Sequence, residues 1–116
     1  MPLEVRKYVT ATGRVPFDEW IATLSSVMRA RAYANIARVE AGNLGNVKPL
    51  TDTDGVMELR MFFGPGYRVY LGRDGATIML LLCGGDKNSQ RRDIVRAMAM
   101  WRDYKTRKES ENGAVS

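Results

Sequence analysis

The 116-residue sequence contains no histidine and only one cysteine, Cys83. Histidine is the usual acid or base near neutral pH and the commonest transition-metal ligand in proteins. Its absence excludes serine–histidine and cysteine–histidine nucleophilic catalysis. One cysteine cannot form an internal disulfide or complete a structural zinc site. Any chemistry must therefore use Lys, Arg, Tyr, Asp or Glu, and we expect neither a metal nor a cofactor.

The sequence also lacks a long apolar run and a basic-then-apolar segment at its N-terminus. A membrane-spanning helix needs about 20 consecutive apolar residues, and a secretory signal needs the second pattern. A single cysteine inside an apolar run is typical of a reducing compartment. We therefore expect a cytoplasmic protein with no membrane partner.

Positive charge is in excess, with 18 Lys and Arg against 13 Asp and Glu, for a formal net charge of +5. Such a balance favours an acidic partner, whether nucleic acid, an acidic protein or an anionic surface. The length suits one domain. We expect that domain to cover residues 1–108 and a flexible polar tail to cover residues 109–116.

Apolar periodicity predicts a small α+β fold with the element order β-α-α-β-β-β-α. The predicted helices cover residues 16–25, 27–41 and 88–108, and the predicted strands cover residues 3–10, 56–63, 67–72 and 76–83. The polar segment 45–55 is predicted to be a loop. We expect an antiparallel sheet packed by the two early helices and the C-terminal helix. On the second helix, the residues predicted to face the core are Ala30, Tyr33, Ala34 and Ala37, with Ile36 as a further candidate.

Residues 58–71 predict two strands joined by a Gly-Pro-Gly turn. Strand alternation places Glu58 and Arg60 on the same face of the sheet. Because hairpin strands lie side by side and Lys87 follows the next strand, Arg60, Arg68 and Lys87 can converge on one patch. Guanidinium groups match phosphate oxygens in shape, and a lysine adds a point charge. The alternative is that these strand arginines are solvated and only form ion pairs.

Other residues offer further contacts to RNA. Tyr70 shares a strand face with Arg68, which makes it a better candidate than Tyr67 to stack on a base. Arg91 and Arg92 lie on the C-terminal helix, off its apolar stripe. They form either a solvated face or a basic surface for RNA or an acidic partner.

Several blocks of sequence occur together. They are Met57-Glu-Leu-Arg60, Phe63-Gly-Pro-Gly-Tyr-Arg-Val-Tyr70, Leu80-Leu-Leu-Cys-Gly-Gly-Asp-Lys87, Gln90 with Asp93-Ile94, and Trp101-Arg-Asp-Tyr-Lys105. This combination resembles the RelE/ParE superfamily of type II toxin–antitoxin toxins, and more narrowly the HigB-like branch of addiction-module killer proteins. The resemblance implies a toxin that cuts mRNA in the ribosomal A site without a metal. It also implies an antitoxin partner, usually a helix-turn-helix protein encoded by the adjacent gene.

The resemblance also implies roles for single residues. Arg68 is expected to hold the scissile phosphate, with Lys87 as a second basic group. Glu58 and Arg60 match positions that carry a base or phosphate contacts in relatives. Several relatives use a histidine or a late tyrosine as acid or base, and this sequence has neither near Lys87. Glu58 is therefore the candidate base, and the general acid is unassigned.

Three functions stay open at this point. The first is a ribosome-dependent mRNA endonuclease that inhibits translation. The second is a toxin that acts on DNA gyrase, as the ParE branch does. The third is a catalytically inert homologue that only binds its antitoxin or nucleic acid, an alternative that the missing histidine keeps open.

Overall fold

The computed structural model describes residues 2–115 of the chain. The elements are β1 (Glu4–Lys7), α1 (Pro16–Ile21), α2 (Ser26–Glu40), β2 (Val47–Pro49), β3 (Val56–Arg60), β4 (Arg68–Asp74), β5 (Ile78–Gly85) and α3 (Gln90–Val115). The predicted α+β class is confirmed. The helix predicted to end at Lys108 runs on through Val115, and Ser116, the last residue of the predicted tail, lies outside the described residues.

The five strands form one sheet in the order β1-β5-β4-β3-β2. The strands β2 to β5 pair antiparallel, whereas β1 runs parallel to β5. The predicted antiparallel core is therefore confirmed for β2 to β5, and β1 adds a parallel strand at one edge that the sequence did not predict, because no hairpin connects β1 to β5 and fixes their relative direction. The segment 45–55, predicted to be a loop, contains β2, a three-residue strand too short for an alternating pattern to reveal.

Helices cover both faces of the sheet. On the face covered by α1 and α2, apolar side chains of the sheet pack against Phe17, Ile21 and Ile36. On the opposite face, which α3 covers, the core is built around Tyr70 and Trp101. The sheet face that carries Glu58 is therefore closed by a helix along most of its length.

The predicted inner side of α2 is wrong. Its buried residues are Ala32, Ile36 and Val39. The candidate Ile36 is thus confirmed, whereas the other residues predicted to face the core are exposed, namely Ala30, Tyr33, Ala34 and Ala37. Burial of large aliphatic side chains removes more apolar area from water than burial of alanines, so Ile36 and Val39 determine which side of the helix faces the sheet.

A glycine in β4, which has no side chain, allows α3 to approach the sheet. Gly72 faces the indole of Trp101, and a Cβ added at Gly72 would lie 2.5 Å from that ring. The Trp101 ring also stacks on Tyr104, with 5.6 Å between centroids and 8° between planes. Its Nε1 donates a hydrogen bond of 2.9 Å to the carbonyl of Asp54. These contacts fix α3 on the sheet and, with it, the N-terminal turn of α3 beside the β3–β4 hairpin.

Candidate functional site

A groove of about 520 Å³ opens at the end of the β3–β4 hairpin. It is lined by Arg60, Met61, Phe62, Phe63, Gly64, Gly66, Tyr67, Arg68 and Lys87. The structure therefore brings together the three cations that the sequence predicted to converge. No carboxylate is among the described residues that line the groove.

The pairing of β3 with β4 places two of these cations. Arg60 and Arg68 are opposite each other in the register, so both side chains emerge on the same face. The Arg60 side chain is 44% exposed and that of Arg68 is 11% exposed. The guanidinium of Arg68 is therefore largely enclosed, whereas that of Arg60 can move in solvent.

Lys87 reaches the groove from the segment between β5 and α3. Asp86 forms a turn ahead of α3, in which its Oδ1 accepts hydrogen bonds from the backbone amides of Asn88 (2.8 Å) and Ser89 (3.1 Å). Aspartate side chains commonly stabilise turns by binding backbone amides a few residues later in the chain. The amide of Lys87 then donates to the carbonyl of Pro65 at 3.4 Å, which holds this segment against the hairpin turn.

Glu58 lies behind Arg68 and outside the groove lining. Its side chain is only 2% exposed. Its Oε1 accepts hydrogen bonds from Nε of Arg68 and, at 3.4 Å, from Nε2 of Gln90. The Nε of Arg60 lies 3.8 Å from the same oxygen. The candidate base is therefore a buried carboxylate that is occupied by cationic and amide donors.

The prediction that Tyr70 stacks on a base is wrong. Tyr70 is completely buried, since α3 covers its face of the sheet, and no base can reach it. Within residues 2–115 its hydroxyl has no hydrogen-bond partner. Burial, together with the nearby carboxylate of Glu58, raises the pKa of Tyr70 well above its ordinary range.

Tyr67 packs partly into the core and still borders the groove. Its ring lies 5.9 Å from Trp20 and 5.7 Å from Phe63, both in edge arrangements. Aromatic pairs at such separations favour tilted geometry. These contacts pack the hairpin turn against α1.

Arg91 and Arg92 are exposed on α3, and the structure does not bring them to the groove. Arg92 borders a separate cavity of about 450 Å³ between α1 and the start of α3. Arg91 borders neither of these two cavities. Their contact with RNA stays a prediction.

Sequence reasoning missed one residue that lines the groove and one buried residue that lines the separate cavity. Phe62 lines the groove and is 76% exposed; its strand alternation with Arg60 was the signal that could have placed it there. Asp93 is 1% exposed and accepts a hydrogen bond from Ser89 Oγ. Its carboxylate lies directly against Gly85, where an added Cβ would be 1.8 Å from Oδ2. Its position one helical turn after Ser89 was the only sequence signal for that contact.

Within the described part of the chain, no three His, Cys, Asp or Glu side chains are grouped in a way that could hold a metal ion. No helix between residues 2 and 115 is both long enough and apolar enough to cross a membrane.

The fold and groove define a small α+β protein with a cationic, carboxylate-backed site. Residues 19–102 match the family model described as phage derived protein Gp49-like (DUF891), and the chain belongs to this family. The Gp49-like family is toxin-like, of the RelE/HigB type, which supports a toxin role and an antitoxin partner. The chain is also 43% identical over 82 residues to an uncharacterized protein of Haemophilus influenzae, in an alignment that covers 70% of this chain and 81% of that protein.

Proposed function

We propose that the protein is the toxin of a type II toxin–antitoxin system that cuts mRNA on the ribosome without a metal ion and so inhibits translation. The observation that carries this proposal is the convergence of Arg60, Arg68 and Lys87 on one groove whose lining holds no carboxylate. Three cations close together repel one another, and an anion between them relieves that repulsion. A phosphate diester matches such a site in charge and shape.

Arg68 is the phosphate ligand in this proposal. Its Nε donates to Glu58, and its Nη1 donates to the carbonyl of Gly66 at 3.1 Å. A guanidinium has five N–H donors, so three others stay available to a ligand. Because two bonds fix the plane of the group before RNA arrives, little ordering is required when it binds.

The reaction follows from the groups at hand. The 2′ oxygen of one nucleotide attacks the adjacent phosphorus, the O2′–P bond forms and the P–O5′ bond breaks. The products are a 2′,3′-cyclic phosphate and a free 5′ hydroxyl. The groove lining holds no carboxylate or imidazole, and its proton-carrying groups besides the arginines are Tyr67 and Lys87. In this proposal the 2′ proton passes to solvent, and the 5′ oxygen takes a proton from Lys87, which regains one from solvent. Arg68, Arg60 and Lys87 stabilise the extra negative charge on the phosphorane.

Glu58 is a positioning residue in this mechanism. Its carboxylate is buried behind Arg68 and occupied by that guanidinium, so it does not reach the 2′ hydroxyl while Arg68 stays in place. A buried hydrogen-bond partner of this kind holds a charged group in the geometry that the reaction needs.

The proposed regulator is an antitoxin encoded by the adjacent gene, with the helix-turn-helix architecture that the resemblance implies. The net charge of +5 favours an acidic segment that covers the groove. Co-expression of the adjacent gene is expected to restore growth. A neighbouring product that neither binds the chain nor restores growth would contradict this partner.

The function is tested by inducing the chain alone in bacterial cells and mapping mRNA 5′ ends. We expect growth arrest and new 5′-hydroxyl ends inside translated reading frames. Arrest of replication with intact transcripts would instead favour action on gyrase. Normal growth at a level of chain that is detectable in the cells would favour an inert homologue, and both results contradict the proposal.

A further inference from the structure

A second depression, of about 340 Å³, adjoins the groove on the α2 side. It is lined by Arg31, Ala34, Asn35, Arg38, Asn46, Phe62 and Phe63. We call it the α2 depression. Because Phe62 and Phe63 line both the groove and the α2 depression, the two form one continuous surface.

Charge distinguishes this surface from the other large cavities. The linings of the groove and the α2 depression together hold five cations and no carboxylate among the described residues. Cavities of about 450 and 370 Å³ elsewhere mix cations with carboxylates such as Asp86 and Asp74. Arg31 and Arg38 of the α2 depression have no carboxylate within ion-pair distance among residues 2–115. Among the described residues, the five cations of this continuous surface are therefore balanced by one carboxylate, Glu58, which lies behind Arg60 and Arg68.

Phe62 lies at the junction of the two depressions. Its 76% exposure is higher than that of any other large apolar residue described, the next being Val95 at 67%. Phe63 supports the hairpin from behind, with the guanidinium of Arg31 over its ring at 4.5 Å from the centroid. An exposed aromatic ring beside cations suits the binding of single-stranded nucleic acid, because every base has a face that can stack.

We propose that the groove and the α2 depression bind two consecutive nucleotides of one RNA strand. One base stacks on Phe62, the phosphate to be cut lies against Arg60, Arg68 and Lys87, and the neighbouring phosphate lies between Arg31 and Arg38. This inference rests on the proposed function only in assigning the groove to RNA. It gives that site a second nucleotide position and a base platform.

The aromatic part is tested with a labelled 2′-O-methyl trinucleotide, which cannot be cut, and a matched trinucleotide whose central residue is abasic. Both are titrated against the purified full chain. Phe62→Ala is expected to weaken binding of the complete trinucleotide at least about fivefold and binding of the abasic one less than about twofold. Phe62→Tyr keeps the ring and is expected to bind normally. Val95→Ala, at an exposed apolar position elsewhere, serves as the control.

The cationic part is tested by the salt dependence of the same binding. The double variant Arg31→Gln, Arg38→Gln is expected to reduce the slope of log affinity against log salt by about 0.7, the value for one phosphate contact to a single strand. Arg29→Gln is the matched control, because Arg29 is on the same helix and lines neither depression. Equal slopes in the double variant and the wild-type chain would contradict a phosphate between Arg31 and Arg38.

An exposed phenylalanine can instead anchor a protein, and Phe62→Leu separates the two cases. Leucine keeps apolar area but has no ring face, so stacking predicts weak binding of the trinucleotide. Normal binding by Phe62→Leu, or a loss of antitoxin binding with unchanged trinucleotide binding in Phe62→Ala, would overturn the inference. Failure of the wild-type chain to bind the trinucleotide would overturn it as well.

These measurements do not depend on cleavage. If the trinucleotide binds as expected while mRNA stays intact in cells, the nuclease proposal fails and the two-nucleotide surface stands. If mRNA is cut and Phe62→Ala binds the trinucleotide normally, the nuclease proposal stands and the two-nucleotide surface fails.

Discussion

Glu58 lies diagonally across the β3–β4 pair from Arg68 and accepts a hydrogen bond from its Nε. The carboxylate is buried, and the guanidinium borders the groove with 11% of its side chain exposed. This pair connects the interior of the sheet to the proposed site, because Glu58 holds Arg68 in the position where a phosphate would bind.

Replacement of Glu58 by glutamine distinguishes positioning from base catalysis. Glutamine keeps the volume and an acceptor but loses the charge, so Arg68 is held less firmly and the rate of mRNA cleavage is expected to fall about tenfold or more. The pH profile of the rate is expected to keep its shape. If Glu58 were the base, the variant would lose the acidic limb of that profile. Glu4→Gln, on the exposed edge strand, is the control.

Replacement of Tyr70 by phenylalanine tests the unpaired buried hydroxyl. Because this group has no partner among the described residues, its removal loses no hydrogen bond, and the free energy of unfolding is expected to change by less than about 1 kcal/mol. Tyr8→Phe is the matched control, since it removes the 2.6 Å bond to Asp103 and is expected to cost about 1 kcal/mol. A loss above about 2 kcal/mol for Tyr70→Phe in urea unfolding would contradict an unpaired hydroxyl.

The sequence predicts those parts of this molecule that depend on local pattern. Hairpin alternation was enough to place Arg60 beside Arg68, since the pleat fixes the face of every residue once two strands pair. It could not show that α3 covers the next residue along that face, so Tyr70 was placed at the surface. Tertiary packing of α3 over Gly72 decides that burial, and only the three-dimensional arrangement reveals it.

The other features that the sequence did not predict have similar causes. The rotation of α2 about its axis depends on which side chains fill the space above the sheet. Ile36 and Val39 fill that space, so the predicted stripe of alanines faces away from the sheet. The direction of β1 depends on pairing with a strand about 70 residues away in sequence, which no local signal encodes. The α2 depression lies between the tip of the β3–β4 hairpin and one face of α2. The sequence pattern of each element predicts that element alone and cannot show that the two are in contact.

Gly72→Ala is expected to destabilise the protein by forcing Trp101 away from β4. The added methyl would lie 2.5 Å from the indole, and overpacking of this kind costs about 1–3 kcal/mol. Combination with Trp101→Phe is expected to cost less than the sum of the two single changes, because the smaller ring relieves the clash. Additive losses in urea unfolding would show that the two residues do not interact.

Acid is expected to weaken the attachment of α3 to the end of β4. Hydrogen bonds from Lys108 and then Tyr104 lower the pKa of Asp74 below its ordinary value. A carboxyl whose pKa is depressed by folding stabilises the protein above its unfolded pKa of about 3.9 and loses that contribution as pH falls through the folded value. Asp74→Asn is therefore expected to lose less than about 1 kcal/mol at pH 7 and to match the wild type once the pH lies below both pKa values. A difference between the two proteins that persists there would contradict the assignment.

The most direct test of the proposed site is cleavage of a ribosome-bound mRNA by the purified chain and by Arg68→Ala. The wild-type chain is expected to leave a 2′,3′-cyclic phosphate and a 5′ hydroxyl, and a single 2′-O-methyl group at the cleavage position should stop the reaction. Arg68→Ala is expected to lose at least about 100-fold in rate, while Arg73→Ala, on the same strand and outside the groove, keeps full activity. Undiminished cleavage by Arg68→Ala, or cleavage that persists past the 2′-O-methyl group, would contradict the proposed site.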